Sequence, residues 1–504
     1  MALIRPDTVV LNWLLVMPFF AALFAEIFPR LRLPVHSPRE AEAMRNGPFY
    51  LGALASLMGA ALAVSLLPAV ASEGVAADYR WTRDLYQLRF HADSFSIGLI
   101  VLLYGLSLLV HIHLVGLPPP SDPHHRAALL LSAVGCGVAA CLSADLIPLV
   151  LFLELALVAV WFSAYLDGPR QANVLLATGH GVGLLFVAGI LLLWQRAGDT
   201  SSAALPLLMV SAEPVALRAI ALLLLVGLLP RVISVPFHGW LPGLARHAFP
   251  TALAAAIFLP PIAGAVLLRL LPGSLLLPLV PALSPVGTLL GLAALWWGAL
   301  RAALVQDLRS LAVWLTVAQS GYLLIAVATA GSSEVGGQVV QAAALHLVLA
   351  PFSLLALWSA ASAVRAAVGT DAIAGLSGLA RRTPLAGAAL VVGGLSVAGV
   401  PPLPGFRVQR LLLGALAAEG STWVLSAIIF ADIAIGLAVV ESFRRAFLRK
   451  EPPPSLRRRA AWCSIQLALL LGVLLVVSAW PAPVLDWSGK VSRTVLSAVS
   501  VAQQ

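Results

Sequence analysis

Apolar runs long enough to cross a membrane follow one another along almost the whole chain, and they constrain its fold more than any other feature. Hydrophobic residues make up 60% of the 504 positions and charged residues only 11%, whereas soluble domains carry about 25% charged residues. The mean hydropathy is +0.97. Because a helix needs about 20 mainly apolar residues to span a bilayer, the sequence predicts an all-α integral membrane protein.

Fourteen such runs can be identified, and prolines interrupt two of them. We expect the interrupted runs, 217–240 and 383–412, to form broken helices. No polar stretch is long enough for a soluble domain, so residues 1–504 are predicted to form one membrane domain. The other twelve predicted spans cover residues 8–28, 49–72, 92–116, 127–143, 146–166, 172–195, 250–271, 278–300, 309–330, 337–364, 420–441 and 463–481.

The two broken helices occupy the same place in successive groups of five spans. Each is fourth in its group, and the groups cover residues 127–271 and 278–441. The second break contains Pro401, Pro402 and Gly405, to which we assign a structural role. Because the groups start on opposite sides of the membrane, the sequence predicts two inverted five-helix repeats, as in transporters whose discontinuous helices meet ions near the midplane.

Positive charge in alternate loops predicts the orientation. The loops after odd-numbered spans hold 19 of the 31 Lys and Arg residues, and cytoplasmic loops carry such an excess. Both termini are therefore predicted on the outer side of a bacterial-type plasma (inner) membrane, with the basic loop 444–459 in the cytoplasm near anionic lipid head groups. The net charge of +9 is explained without a nucleic-acid partner.

The first broken helix combines prolines with ionisable residues. Pro236 and Pro242 flank His238, and Arg231 precedes them. Backbone freed by proline must line a polar cavity in a bilayer. An intramembrane arginine costs about 2.5–3.5 kcal/mol on insertion scales and marks an ion path with a partner inside the protein. We interpret the segment as a transport site, in which His238 either passes protons or caps freed carbonyl groups.

Glu154, near the centre of the fifth span, is the natural partner of Arg231. It is either a proton carrier or half of an ion pair that fixes helix packing. Arginine stays protonated, so Arg231 can only tune the acid. His346 in the eleventh span is a further relay candidate, and His180 in the sixth span either joins the relay or makes a polar contact.

Four acidic or basic residues lie in or beside other spans. Asp432 and Asp93 are candidates for a water path. Asp307 and Arg309 begin the tenth span, where an acid complements the helix dipole, so a structural role is predicted for them.

Neither the cysteines nor the remaining histidines indicate a metal site. The three cysteines are odd in number and lack ligand spacing. His111 and His113 lie two residues apart, hence on different faces of a helix, and His124 and His125 are expected in a loop. No nucleotide, flavin or cluster motif is recognised, so we expect no cofactor and no catalytic or redox site in this chain.

Four ordered motifs resemble the antiporter-like proton-channel family. This family comprises the M and N membrane subunits of respiratory complex I and their relatives in Mrp sodium/proton antiporters and membrane-bound hydrogenases. The resemblance covers about residues 90–450 and implies fourteen helices, two inverted repeats and a central polar axis of Glu, Lys, His and Lys or Glu. The motifs are Phe152–Leu155, Pro236–Pro242, Gln306–Tyr322 and Gly378–Phe406.

The resemblance places Glu154 at the acid position of this axis and His346 at its histidine, but it leaves other relay positions without a titratable group. Arg231 stands where the family has a lysine. A relay needs groups that gain and lose protons near ambient pH, so proton conduction is expected to be reduced, altered or absent. The remaining relay positions hold Pro261, Ala350, Leu354, and Gln409 or Arg410.

The expected function is that of an antiporter-like membrane subunit in a NADH:quinone oxidoreductase assembly, with other membrane subunits as partners. Proton-translocating quinone reduction would then be the activity of the whole assembly, with the redox chemistry in other chains. Two alternatives stay open. One is a subunit of a related cation/proton or inorganic-carbon transporter, and the other is a non-conducting structural spacer.

Overall fold

Membrane-spanning helices make up nearly all of the described chain. Within the described ranges, twelve helices are long and apolar enough to cross a membrane, and two further spans are broken helices. The predicted all-α membrane fold with about fourteen spans is therefore confirmed. The structure, a computed structural model, describes residues 6–28, 37–72, 75–80, 87–118, 122–198, 214–270, 280–330, 335–448 and 461–503.

The first part of the chain contains a hairpin that the all-helical prediction missed. Its strands pair antiparallel, with Val75 opposite Ala92. The second strand alternates Leu88, Phe90 and Ala92 with polar residues, which is the period of a strand rather than of a helix. The elements here are α1 (Pro6–Ile27), α2 (Pro38–Ser65), α3 (Leu67–Ser72), β1 (Val75–Arg80), β2 (Gln87–Ala92) and α4 (Ser94–Gly116).

The middle of the chain contains the first broken helix. Three of its helices begin with proline, at a position where the missing N–H has no intrahelical partner to lose. A short 3-10 turn, Phe237–Gly239, lies between the two halves of the broken helix. The elements are α5 (Pro123–Leu142), α6 (Leu146–Tyr165), α7 (Pro169–Ala197), α8 (Pro214–Leu228), α9 (Trp240–His247) and α10 (Phe249–Leu270).

The last part contains the second broken helix and a terminal helix, α18, that the sequence did not predict. α18 carries too many polar residues for a predicted span, and it docks through side chains: Trp487 Nε1 donates to Ser94 O at 2.8 Å. The elements are α11 (Val280–Ala303), α12 (Leu308–Thr329), α13 (Gly336–Val368), α14 (Pro384–Val397), α15 (Pro404–Ala418), α16 (Thr422–Phe443), α17 (Ala461–Ala479) and α18 (Ala482–Gln503).

The two broken helices share one local geometry. A left-handed residue follows each first half: Gly399, with φ of +67°, lies two residues after α14, and Ile233, with φ of +62°, ends the turns that follow α8. The N–H of the next residue then donates to the carbonyl oxygen five residues earlier, at 3.0 Å from Ser234 and 2.9 Å from Val400. Such bonds close the ends of helices. The first halves of the two broken helices are therefore closed by the same kind of hydrogen bond. The wider inverted repeat stays a prediction.

The buried fraction of each apolar helix shows which helices lie at the centre of the bundle and which lie at its periphery. The apolar windows of α10, α12 and α13 are almost completely buried, whereas α1, α7 and α17 bury little more than a third of theirs. A helix that is apolar all round and buried belongs to the core of a large bundle. α10, α12 and α13 therefore lie at the centre of the bundle. Polar groups on their faces lie inside the protein.

Candidate functional site

The first charged cluster lies between α6, α7 and the end of α8, where Arg231 is buried and the side chains of Glu154 and His180 are 20% and 25% exposed. Glu154 of α6 forms an ion pair with Arg231, which follows α8. Its other carboxylate oxygen lies 2.5 Å from Nδ1 of His180 in α7. Arg231 is only 1% exposed. The ion pair expected from the sequence is present, and His180 is its third member.

A glycine and the helix end hold the guanidinium of Arg231. Its Nη1 donates to Gly227 O in the last turn of α8 at 3.0 Å. A Cβ at Gly183 of α7 would lie 2.7 Å from both terminal nitrogens, so glycine leaves room for the side chain. Gly183 is three residues after His180 and shares its helix face. The sequence analysis missed Gly183, although this spacing is a signal that could have found it.

His238 does not join this cluster. It lies in the 3-10 turn before α9, with its ring centroid 5.7 Å from that of Trp314 in α12. Within the described part of the chain, its Nδ1 has no hydrogen-bond partner. The break thus places Arg231 against α6 and His238 against α12.

The second polar cluster lies between α12, α13, α15 and α16. The Tyr322 hydroxyl donates to the carboxylate of Asp432 and accepts from Nε2 of Gln409 at 3.1 Å. The ring of His346 lies 6.1 Å from that of Tyr322, and all four side chains are buried. The structure therefore joins His346 and Asp432, which the sequence analysis treated separately, through the tyrosine that it had not assigned.

Serines attach the second break to α13. Ser396 Oγ accepts from Gly405 N at 3.1 Å and from Ser353 Oγ at 2.8 Å. A Cβ at Gly405 would lie 1.8 Å from Ser396 O, so this close approach requires glycine. α15 begins two residues after Pro401 and Pro402. These contacts describe how the second broken helix is held.

A small cavity lies between the two clusters. Its volume is about 30 Å³, and its lining includes Val232, the neighbour of Arg231, and His346. A water needs about 10–15 Å³ of such volume, so the cavity has room for about two. Three of the residues that replace expected relay groups line it: Pro261, Ala350 and Leu354.

Three other predicted site residues lie at helix ends. Asp307 caps α12, and its carboxylate accepts a first-turn N–H at 2.7 Å. Arg309 pairs with Asp371. Asp93 caps α4, and its Oδ1 lies 3.4 Å from Nη2 of Arg269. Within the described chain, the structure gives none of the three a hydrogen bond or an ion pair to either polar cluster.

One group of side chains could hold a metal ion among the residues that the structure describes. The ligand atoms of Glu26, His124 and His125 all lie within 4.8 Å of one another. The two histidines begin α5 rather than lying in the expected loop. His125 Nδ1 is 2.6 Å from Glu26 Oε1, so a hydrogen bond accounts for the contact without a metal.

Paired charges inside a bundle of apolar spans, beside two broken helices, define a multi-pass membrane protein of the ion-translocating class. Residues 143–436 match the family described as NADH:quinone oxidoreductase/Mrp antiporter, TM. The match covers more than half of the chain, which therefore belongs to this family as an antiporter-like membrane subunit.

Individual relatives agree with this assignment. The chain is 26% identical to the NADH-quinone oxidoreductase subunit N of Desulforudis audaxviator over 88% of this chain and 87% of that protein. It is 32% identical to the subunit N of Cereibacter sphaeroides over 71% and 76%. Its fold is similar to a chain of the Mrp complex from Dietzia sp., with a TM-score of 0.84, 19% identity and 99% of both chains covered.

Proposed function

We propose that this chain is an antiporter-like membrane subunit of an energy-converting NADH:quinone oxidoreductase assembly and that its own proton conduction is reduced or altered. The observation that carries the proposal is the Glu154 carboxylate held by Arg231 inside the membrane. The names of the relatives, subunit N and the Mrp complex, support partner membrane subunits. The subunit would lie in a bacterial plasma membrane, with both termini on the outer side.

Glu154 contacts two side chains that bear on proton exchange, Arg231 and His180. A guanidinium cannot lose its proton in a protein, so Arg231 can attract the carboxylate but cannot pass a proton onward. His180, 2.5 Å away, carries an imidazole, a side chain that can both accept and release a proton. Proton exchange at Glu154 is therefore directed toward His180.

A relay from the first cluster toward His346 would have a gap. Pro261, Ala350 and Leu354 line the cavity beside that histidine, and apolar walls give few partners to the two waters that fit there. His238, which could have shortened the gap, contacts Trp314 instead. This interruption favours altered conduction, and it also favours the alternative of a non-conducting spacer.

Glu154→Gln separates these two functions. In proteoliposomes that contain the assembled parent complex, we expect this variant to lose most substrate-driven proton uptake that depends on this subunit. The control is Glu441→Gln, since Glu441 is exposed and paired with Arg444 and Arg445 at the end of α16. Uptake that is unchanged in Glu154→Gln, with the complex intact, would contradict proton transfer through Glu154 and favour the spacer.

A further inference from the structure

A wide cleft lies at one end of the bundle, away from both polar clusters. It lies where α9 ends, α11 ends and α12 begins, and its volume is about 400 Å³. The charge distribution along the chain places this end in the cytoplasm. Because the cleft follows the ends of spans, it lies at the boundary between the bilayer and water.

The cleft carries an excess of positive charge. Arg246, Arg301 and Arg309 all line it. Arg309 is paired with Asp371. Asp307 also lines the cleft, and its carboxylate accepts hydrogen bonds from the first turn of α12. Arg246 and Arg301 are exposed, and within the described chain neither has an acidic group at ion-pair distance. Two guanidinium groups are thus available to an anion.

Aromatic and apolar residues shape the rest of the cleft. The Arg301 guanidinium lies over the Trp314 ring, 4.7 Å from its centroid, which orients the cation by a cation–π contact. Leu304, which is 70% exposed, stands beside the arginines with Val313. Basic groups next to apolar surface at the membrane boundary match an amphiphile whose head group is anionic.

We propose that the cleft binds a phosphate group, and that its source is the head group of an anionic phospholipid. Arg246 and Arg301 would bind the phosphate oxygens, for which the planar guanidinium is suited. The acyl chains would lie along Leu304 and the neighbouring apolar surface. Trp314 contacts both Arg301 and His238, so the bound head group lies one aromatic ring from His238. This site is independent of whether the subunit conducts protons.

The test uses the full chain in detergent micelles and three soluble probes. Dihexanoyl phosphatidylglycerol, dihexanoyl phosphatidylcholine and inorganic phosphate are titrated, and the apparent Kd is obtained from the rise in Tm. We expect phosphatidylglycerol to raise the Tm and phosphatidylcholine to have little effect. Arg246→Gln with Arg301→Gln should weaken phosphatidylglycerol binding about 30-fold, since each basic residue near anionic lipid contributes about a factor of five.

Two control variants keep the outcome interpretable. Arg381→Gln with Arg382→Gln removes the same charge from exposed positions elsewhere on the same predicted face and should bind like the wild type. Arg246→Lys with Arg301→Lys keeps both charges but loses the planar guanidinium, so its affinity should lie between those of the wild type and the glutamine variant; this variant serves if the glutamine variant fails to fold. Equal protection by inorganic phosphate, lost with the same arginines, would support the phosphate site and assign it to a soluble anion. Undiminished phosphatidylglycerol binding in Arg246→Gln with Arg301→Gln, or an equal loss in the Arg381/Arg382 variant, would overturn the proposal.

Discussion

The two polar clusters lie beside broken helices of the same local geometry, yet their chemistry differs. In the first cluster, a buried arginine neutralises Glu154. In the second, Asp432 contacts the neutral donor Tyr322, and within the described residues it has no cation at ion-pair distance. The helix break alone therefore does not dictate the charge of the site. Side chains placed beside each break decide whether an acid is fixed by a permanent cation or held by neutral hydrogen bonds.

This difference has an energetic consequence. Removing one partner of a buried ion pair leaves an uncompensated charge and costs about 3–5 kcal/mol. A hydrogen bond to a carboxylate contributes about 1.5–3 kcal/mol, and an amide in its place can still accept the bond. The first cluster should therefore be sensitive to loss of charge, and the second should tolerate the loss of its carboxylate.

The largest effect is expected for Arg231→Met. This change leaves Glu154 without its cation, and it should lower the free energy of unfolding by about 3–5 kcal/mol, measured by reversible unfolding in mixed micelles. Arg231→Met combined with Glu154→Leu should recover most of the loss, because both charges are then absent. A single variant as stable as the wild type would show that the pair is not an energetic unit.

A smaller effect is expected for Gly183→Ala. The new Cβ would lie 2.7 Å from the Arg231 guanidinium and displace it, at a cost of about 1–3 kcal/mol from overpacking. Gly181→Ala is the matched control on α7, since a Cβ there would meet nothing within 4 Å. Equal unfolding free energies for the two alanine variants would show that Gly183 does not position the arginine.

The smallest effect is expected for Asp432→Asn. The amide oxygen can still accept the Tyr322 hydroxyl, so the free energy of unfolding should fall by about 1 kcal/mol or less. The same unfolding measurement in the same micelles provides the comparison with Arg231→Met. A loss as large as that of Arg231→Met would remove the proposed difference between the clusters.

The sequence predicted the features that follow from the cost of burying polar groups in a bilayer. Apolar runs predicted the spans, prolines predicted both breaks, and the cost of an unpaired charge predicted the contact between Glu154 and Arg231. Each of these rests on local composition or on one strong physical penalty. They are the parts of the fold that a single sequence specifies most directly.

The rest depends on which faces of distant helices meet. The contact between Tyr322 and Asp432 joins positions 110 residues apart, and a tyrosine in an apolar span carries no penalty large enough to demand a particular partner. His238 faces Trp314 because of how the chain turns after α8. The hairpin β1–β2 was missed because its strands are only six residues long and lie almost entirely outside the apolar runs.

The central claim is that arginine at position 231 limits proton transfer because it cannot titrate. Arg231→Lys keeps the positive charge beside Glu154 and adds a group that can lose its proton when buried. The matched control is Arg126→Lys, which alters a buried ion pair with Asp167 outside both clusters. In proteoliposomes with the assembled complex, we predict faster substrate-driven proton uptake for Arg231→Lys and no change for Arg126→Lys. Uptake by an intact Arg231→Lys complex that is equal to or slower than that of the wild type would contradict the claim.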